Sequence, residues 1–128
     1  MHYLLATAIK ILLLIESSNL VVPPTGDHGL AVGSLQIHPI MVREVNRICR
    51  LQHKPLVFTL ENRNVRSKSL HMACIFLQYQ YKRYLVREGK PPSAALLICS
   101  WNSGSIYRNA SPSYRKKVIT HLKSRNNI

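Results

Sequence analysis

Glu16 is the first residue whose position suggests chemistry, because it follows the aliphatic run Leu12, Leu13, Leu14, Ile15 and precedes Ser17, Ser18 and Asn19. A carboxyl group in the last turn of an apolar helix is desolvated by its neighbours and repelled by the negative end of the helix dipole. Both effects favour the protonated form. An acid kept protonated near neutral pH can deliver a proton to a departing oxygen, which is what glycosidic bond cleavage requires. The plain alternative is a helix-end Glu pointing into water, the common state of acids. Further along, Gln36 and Asn102 each combine hydrogen-bond donors and acceptors, as a sugar's acetamido and hydroxyl groups demand. Trp101 offers a flat apolar face with one polar handle. The ordinary readings of these three are an exposed Gln36, a core Trp101 and an Asn102 that merely ends a helix.

A hydrolase would need a second carboxylate, as base or as nucleophile. Asp27, in a Gly-rich turn, is the candidate that could position water, although Asp beside Gly is also ordinary turn chemistry. Glu44 sits in a helix near Arg43 and Arg47, Glu61 in a polar loop and Glu88 at a helix end, and these three read as solvated surface acids.

These residues must be positioned by helices. Leu4, Leu5, Ala8, Ile11, Leu12 and Ile15 recur at helical spacing, and that first helix should stop near Ser17 to Asn19, before Pro23, Pro24 and Gly26. The segment "PPTGDHGLAVGS" reads as a turn or short irregular hairpin. A second helix is expected from about Pro39, a favoured first-turn residue, through Met41, Val45, Ile48 and Cys49. Residues 52–64 read as loop. After Ser67, a candidate cap, Leu70, Ala73, Cys74, Leu77, Tyr81, Tyr84 and Leu85 form an apolar stripe, with Arg66, Lys68, Lys82, Arg83 and Arg87 mostly off it. A short helix restarts in "KPPSAALLICSW" with Ser93 as cap, and a basic helix follows from about Ser113 to Leu122.

Four blocks, in order along the chain, resemble the lysozyme-like superfamily, in particular soluble-type lytic transglycosylases and their phage relatives. "ESSN" is similar to the catalytic Glu-Ser pair of that family, "GDHGLAVGSLQIHP" to its Gly-Leu-Met-Gln block and "CSWNSG" to its Ala-Tyr-Asn-Ala-Gly block. "SPSYRKKV" resembles the terminal segment in which a Tyr approaches the catalytic Glu. The resemblance implies Glu16 as general acid and base, with Ser17, Ser34, Gln36, Trp101, Asn102 and Tyr114 on the substrate. It also implies a mainly α, single lysozyme-like domain over residues 1–128, with a Gly-rich turn or short hairpin after the first helix. Cleavage would fall between N-acetylmuramic acid and N-acetylglucosamine in peptidoglycan. In such transglycosylases the sugar's N-acetyl group assists and a 1,6-anhydro product forms, so no second carboxylate is needed. The chain departs from the pattern at Ser34 where Leu is usual, Leu35 where Met is usual, Trp101 where Tyr is usual, and Ser105 at a site often held by Pro. The stretch "NLVVPPT" is also more apolar than the usual loop after Glu-Ser.

Composition sets the remaining bounds. At 128 residues and 46% hydrophobic the chain is one globular domain with enough apolar mass for a core. Eighteen Lys and Arg against five Asp and Glu give a formal charge of +13, which attracts polyanions such as an acidic cell wall, anionic lipid or nucleic acid. A nucleic-acid-binding module using Arg66, Lys68, Lys82, Arg83, Arg115, Lys116 and Lys117 is the rival reading, but no recognised binding motif accompanies those charges. An inactive relative that only binds glycan strands is a third. Cys49, Cys74 and Cys99 match no metal or disulfide spacing and read as ordinary buried thiols. No metal or cofactor is expected, and a monomer is. The apolar segment from Tyr3 to Ile15 has no Lys or Arg before it, contains Lys10 and falls short of the roughly 20 residues that span a bilayer. It therefore reads as a buried helix rather than a signal or anchor. Wall location with no clear signal peptide fits a phage-associated enzyme or one exported by another route.

Overall fold

The computed structural model describes residues 1–20 and 23–126, so Val21 and Val22 of the apolar "NLVVPPT" stretch lie outside the described residues. The domain is mainly α: α1 (His2–Ser17), α2 (Pro39–Leu51), α3 (Arg66–Glu88), α4 (Ala94–Ser103) and α5 (Pro112–Asn126), with a short 3-10 helix at Leu60–Asn64. No strand forms among the described residues; residues 23–38 hold two isolated antiparallel bridges, Gly26 with Ala31 and Val32 with Ile37.

Local chemistry sets most helix ends. α1 stops where Ser18 (φ 52°) and Asn19 (φ 63°) turn left-handed. Their N–H groups donate back to the Leu14 and Leu13 carbonyls at 3.1 and 2.9 Å, which satisfies the last turn. α2 opens on Pro39, whose missing N–H costs nothing in a first turn. Ser93 caps α4, its hydroxyl oxygen accepting from the Leu96 N–H at 3.1 Å. Gly89 and Gly104 end α3 and α4 in left-handed conformation.

α1 packs against α3, α4 and α5; α2 lies on α3, and α4 also packs on α3 and α5. The core gathers Ala8, Ile11 and Leu12 of α1 with Val45 and Ile48 of α2, Phe76 of α3, Leu97 and Ile98 of α4 and Val118 of α5.

Four expectations need correction. α3 begins at Arg66 after Val65, not at a Ser67 cap. Its buried residues are Ser69, Met72, Ala73, Ile75, Phe76, Leu77 and Gln80, whereas Cys74 is exposed and Leu85 is 40% exposed. α3 is covered by α1, α2 and α4 at once, so its buried arc is wider than a single stripe and is rotated from the expected one. Of the thiols, Cys49 is buried and Cys99 half-buried. Residues 52–64 are not all loop, because the Asn62 side chain accepts the Thr59 N–H at 2.8 Å and closes the 3-10 turn.

Candidate active site

The end of α1 and the first turn of α5 bring together two residues 98 apart in the chain: the Tyr114 hydroxyl donates to Glu16 Oε1 at 3.3 Å. Tyr114 is buried at 7% exposure and Glu16 is half-buried. Burial pushes the Glu16 carboxyl up from 4.5 to about 7, opposed by the Tyr114 hydrogen bond and the positive charge of Lys117, and aided by the negative charge of Asp27. Lys117 lies three residues after Tyr114, one helical step along the same face. Burial, and then the adjacent Glu16 carboxylate, push the Tyr114 phenol far above its ordinary range, so it serves as a hydrogen-bond donor. The result is a carboxyl group divided between its acid and base forms near neutral pH.

Ser17 and Ser34, expected on the substrate, are buried at 8% and 2% exposure. The Ser17 hydroxyl donates to the Ser34 carbonyl at 2.6 Å and lies 3.2 Å from the Leu13 carbonyl. Ser34 Oγ donates to the Leu20 carbonyl at 3.0 Å and accepts from Arg66 Nη1 at 3.4 Å. Arg66 Nη2 also donates to Asn19 Oδ1 at 2.6 Å. These contacts fasten the end of α1 to the turn segment, so both serines position the site from behind.

The turn segment is held from its other side by Arg63, which donates to the carbonyls of Leu30 and Ile37 at 2.9 and 3.1 Å. Gly33 (φ +84°) approaches so closely that an added Cβ would lie 1.9 Å from the Arg63 carbonyl oxygen. Held in this way, Gln36 (φ 48°) donates from Nε2 to the Gly33 and Pro24 carbonyls at 3.0 and 3.2 Å.

Gln36 lines an open cavity of about 470 Å³ together with His38, Glu44, Trp101, Asn102 and Arg108. Asn102 is exposed, with its Oδ1 accepting from the Ser111 N–H at 3.4 Å. Trp101 does not present an open ring face. It is 6% exposed, its indole N–H donates to the Leu35 carbonyl at 3.4 Å, and its ring meets Phe76 edge-on at 5.5 Å. Glu16, Tyr114 and Asp27 are not in the cavity lining; Ser17 and Ser34 connect the end of α1 to the segment that carries Gln36.

Asp27 is exposed, left-handed at φ 49°, and paired with His38 Nε2 at 2.7 Å. Its charge reaches Glu16, and its partner His38 lines the cavity. Glu44 borders the cavity too, but Arg47 holds it through a two-point contact. Glu61 and Glu88 are exposed and belong to neither feature. His38, Arg63 and Arg108 are the residues that sequence reasoning missed, and Lys117 was read there only as a contact for polyanions; of the three missed, only His38 carried a local signal, standing directly before Pro39 in "QIHP".

Among the described residues no group of three or more His, Cys, Asp or Glu is placed to hold a metal ion. None of the described helices is long and apolar enough to cross a membrane. Compared with family models, with curated proteins and with solved structures, the chain finds no match in any of the three.

Proposed function

We propose that this chain cleaves the β-1,4 bond between N-acetylmuramic acid and N-acetylglucosamine in peptidoglycan, as a lytic transglycosylase with Glu16 as both acid and base. The observation that carries the reading is the Glu16 carboxyl at about 7, set at the end of an apolar helix under the Tyr114 hydroxyl. A group at that value can give a proton and take one back near neutral pH. Glu16 protonates the departing glycosidic oxygen while the substrate's acetamido oxygen bonds to C1. The resulting carboxylate then takes the proton of the muramic 6-hydroxyl, whose oxygen displaces the acetamido oxygen and closes the 1,6-anhydro ring. The cavity beside Gln36 and Asn102 supplies the amide donors and acceptors that sugar substituents need.

Transglycosylation is favoured over hydrolysis because the nearby carboxylates are already engaged, Asp27 by His38 and Glu44 by Arg47. One observation favours a hydrolase as the second reading: Asp27 lies near enough for its charge to act on Glu16. Digestion of purified peptidoglycan with mass analysis separates the two, with anhydro ends expected for the first and reducing ends for the second. If wild type and Glu16→Gln alike release nothing while the wild type binds DNA in a salt-sensitive way, the enzyme reading falls to a polyanion-binding one.

A further inference from the structure

A second cavity of about 240 Å³ lies between α4 and α5 and shares Arg108 with the first. Its volume is below the roughly 300–1,000 Å³ of pockets that hold a whole small ligand. It therefore suits a substituent of something held next door. Its lining joins Arg108, Arg115 and Asn109 to an apolar wall of Leu96, Ile106 and Ile119. Among the described residues neither arginine is in an ion pair; those pairs are His38 with Asp27 and Arg47 with Glu44. The one side-chain hydrogen bond of Arg108 is a long contact from Nη1 to the Ser103 carbonyl at 3.4 Å, and Arg115 makes none among the described residues. A guanidinium has five N–H donors in a fork that fits a carboxylate, so most of this donor capacity is unspent.

We propose that this second cavity is a subsite for a short aliphatic peptide with free carboxylates, carried on the sugar that occupies the first cavity. Arg108 and Arg115 bind the carboxylate, Leu96, Ile106 and Ile119 take methyl-sized side chains, and Asn109 bonds the peptide backbone. The assignment rests on the peptidoglycan reading, since a muramyl sugar bears such a peptide. Because Arg108 belongs to both cavities, it would measure whether a strand carries its peptide.

The test uses the full chain and two probes, a stem tetrapeptide ending in alanine and its fully amidated form, titrated by NMR at about 0.15 M salt so that long-range attraction is screened. Wild type should bind the free acid about tenfold more tightly than the amide, the loss expected for one charge-assisted contact. Arg115→Gln should lose that difference. Lys123→Gln, an exposed neutralisation on the same helix outside the cavity, should keep it. Equal binding of the two peptides by wild type overturns the subsite, as does equal loss in both variants, which would trace binding to the overall charge. Cleavage of peptide-bearing and peptide-stripped strands gives the second readout: wild type should favour the former and Arg115→Gln should not. Cleavage with no such preference refutes the subsite and leaves the enzyme reading intact. Selective peptide binding without any cleavage refutes the enzyme reading and leaves the anionic peptide site standing.

Discussion

Glu16→Gln should make the protein more stable at pH 8 and leave it nearly unchanged at pH 4. The carboxyl titrates at about 7 in the folded chain against 4.5 ordinarily, so between those values the folded state binds more protons than the unfolded one. Stability therefore falls as pH rises through that window, and the loss is complete above about 7. At about 1.4 kcal/mol per pH unit the displacement caps the penalty at about 3.5 kcal/mol, and solvent screening of a half-buried group reduces it to about 2 kcal/mol. A glutamine has no charge to desolvate and still offers an oxygen to the Tyr114 hydroxyl. Urea unfolding of both proteins at pH 4 and pH 8 measures the effect, with a gain of about 2 kcal/mol at the higher pH and less than about 0.5 kcal/mol at the lower. Glu61→Gln, on the exposed 3-10 helix, controls for deleting one negative charge from a strongly cationic chain. A pH-independent difference, or a Gln variant that is weaker at pH 8, would refute the claim that the fold holds a strained acid at this position.

Other substitutions probe the same geometry. Tyr114→Phe removes the hydrogen bond that lowers Glu16, so the Glu16 midpoint should move up by about one pH unit, read by NMR titration or as the alkaline limb of the pH–rate profile. Asp27→Asn removes an upward push and should shift that midpoint down, while anhydro products persist if Asp27 activates no water. Ser17→Ala should cost about 1–2 kcal/mol in urea unfolding, because the Ser34 carbonyl loses its buried donor. Gly33→Ala combines a left-handed φ with a Cβ 1.9 Å from a backbone oxygen, and should either prevent expression of folded protein or lower its stability by more than about 2 kcal/mol.

The parts legible in the sequence are those set by near neighbours. Pro39 at a first turn, Ser93 as a cap and the aliphatic run before Glu16 each act within one or two helical turns, so helix placement and the desolvated acid could be read directly from residue order. The buried face of α3 was not legible, since apolar residues surround that helix and only its packing partners, α1, α2, α4 and the 3-10 helix, decide which of them are covered. Trp101 carries the chemistry of a sugar platform, yet Phe76 and the Leu35 carbonyl claim it for the core. Ser17 and Ser34 have hydroxyls that could serve a ligand, and the turn segment uses them as fasteners instead.

By itself the sequence determined a mainly helical domain, a strongly cationic surface and an acid placed behind aliphatic side chains, because composition and short-range periodicity are local quantities. Only the tertiary structure decided that Tyr114 would donate to Glu16, that Asp27 would pair with His38, and that Arg108 would border two cavities. Each of these depends on segments far apart in the chain meeting with a particular register, and that register is set by how the helices pack rather than by any residue's own preference.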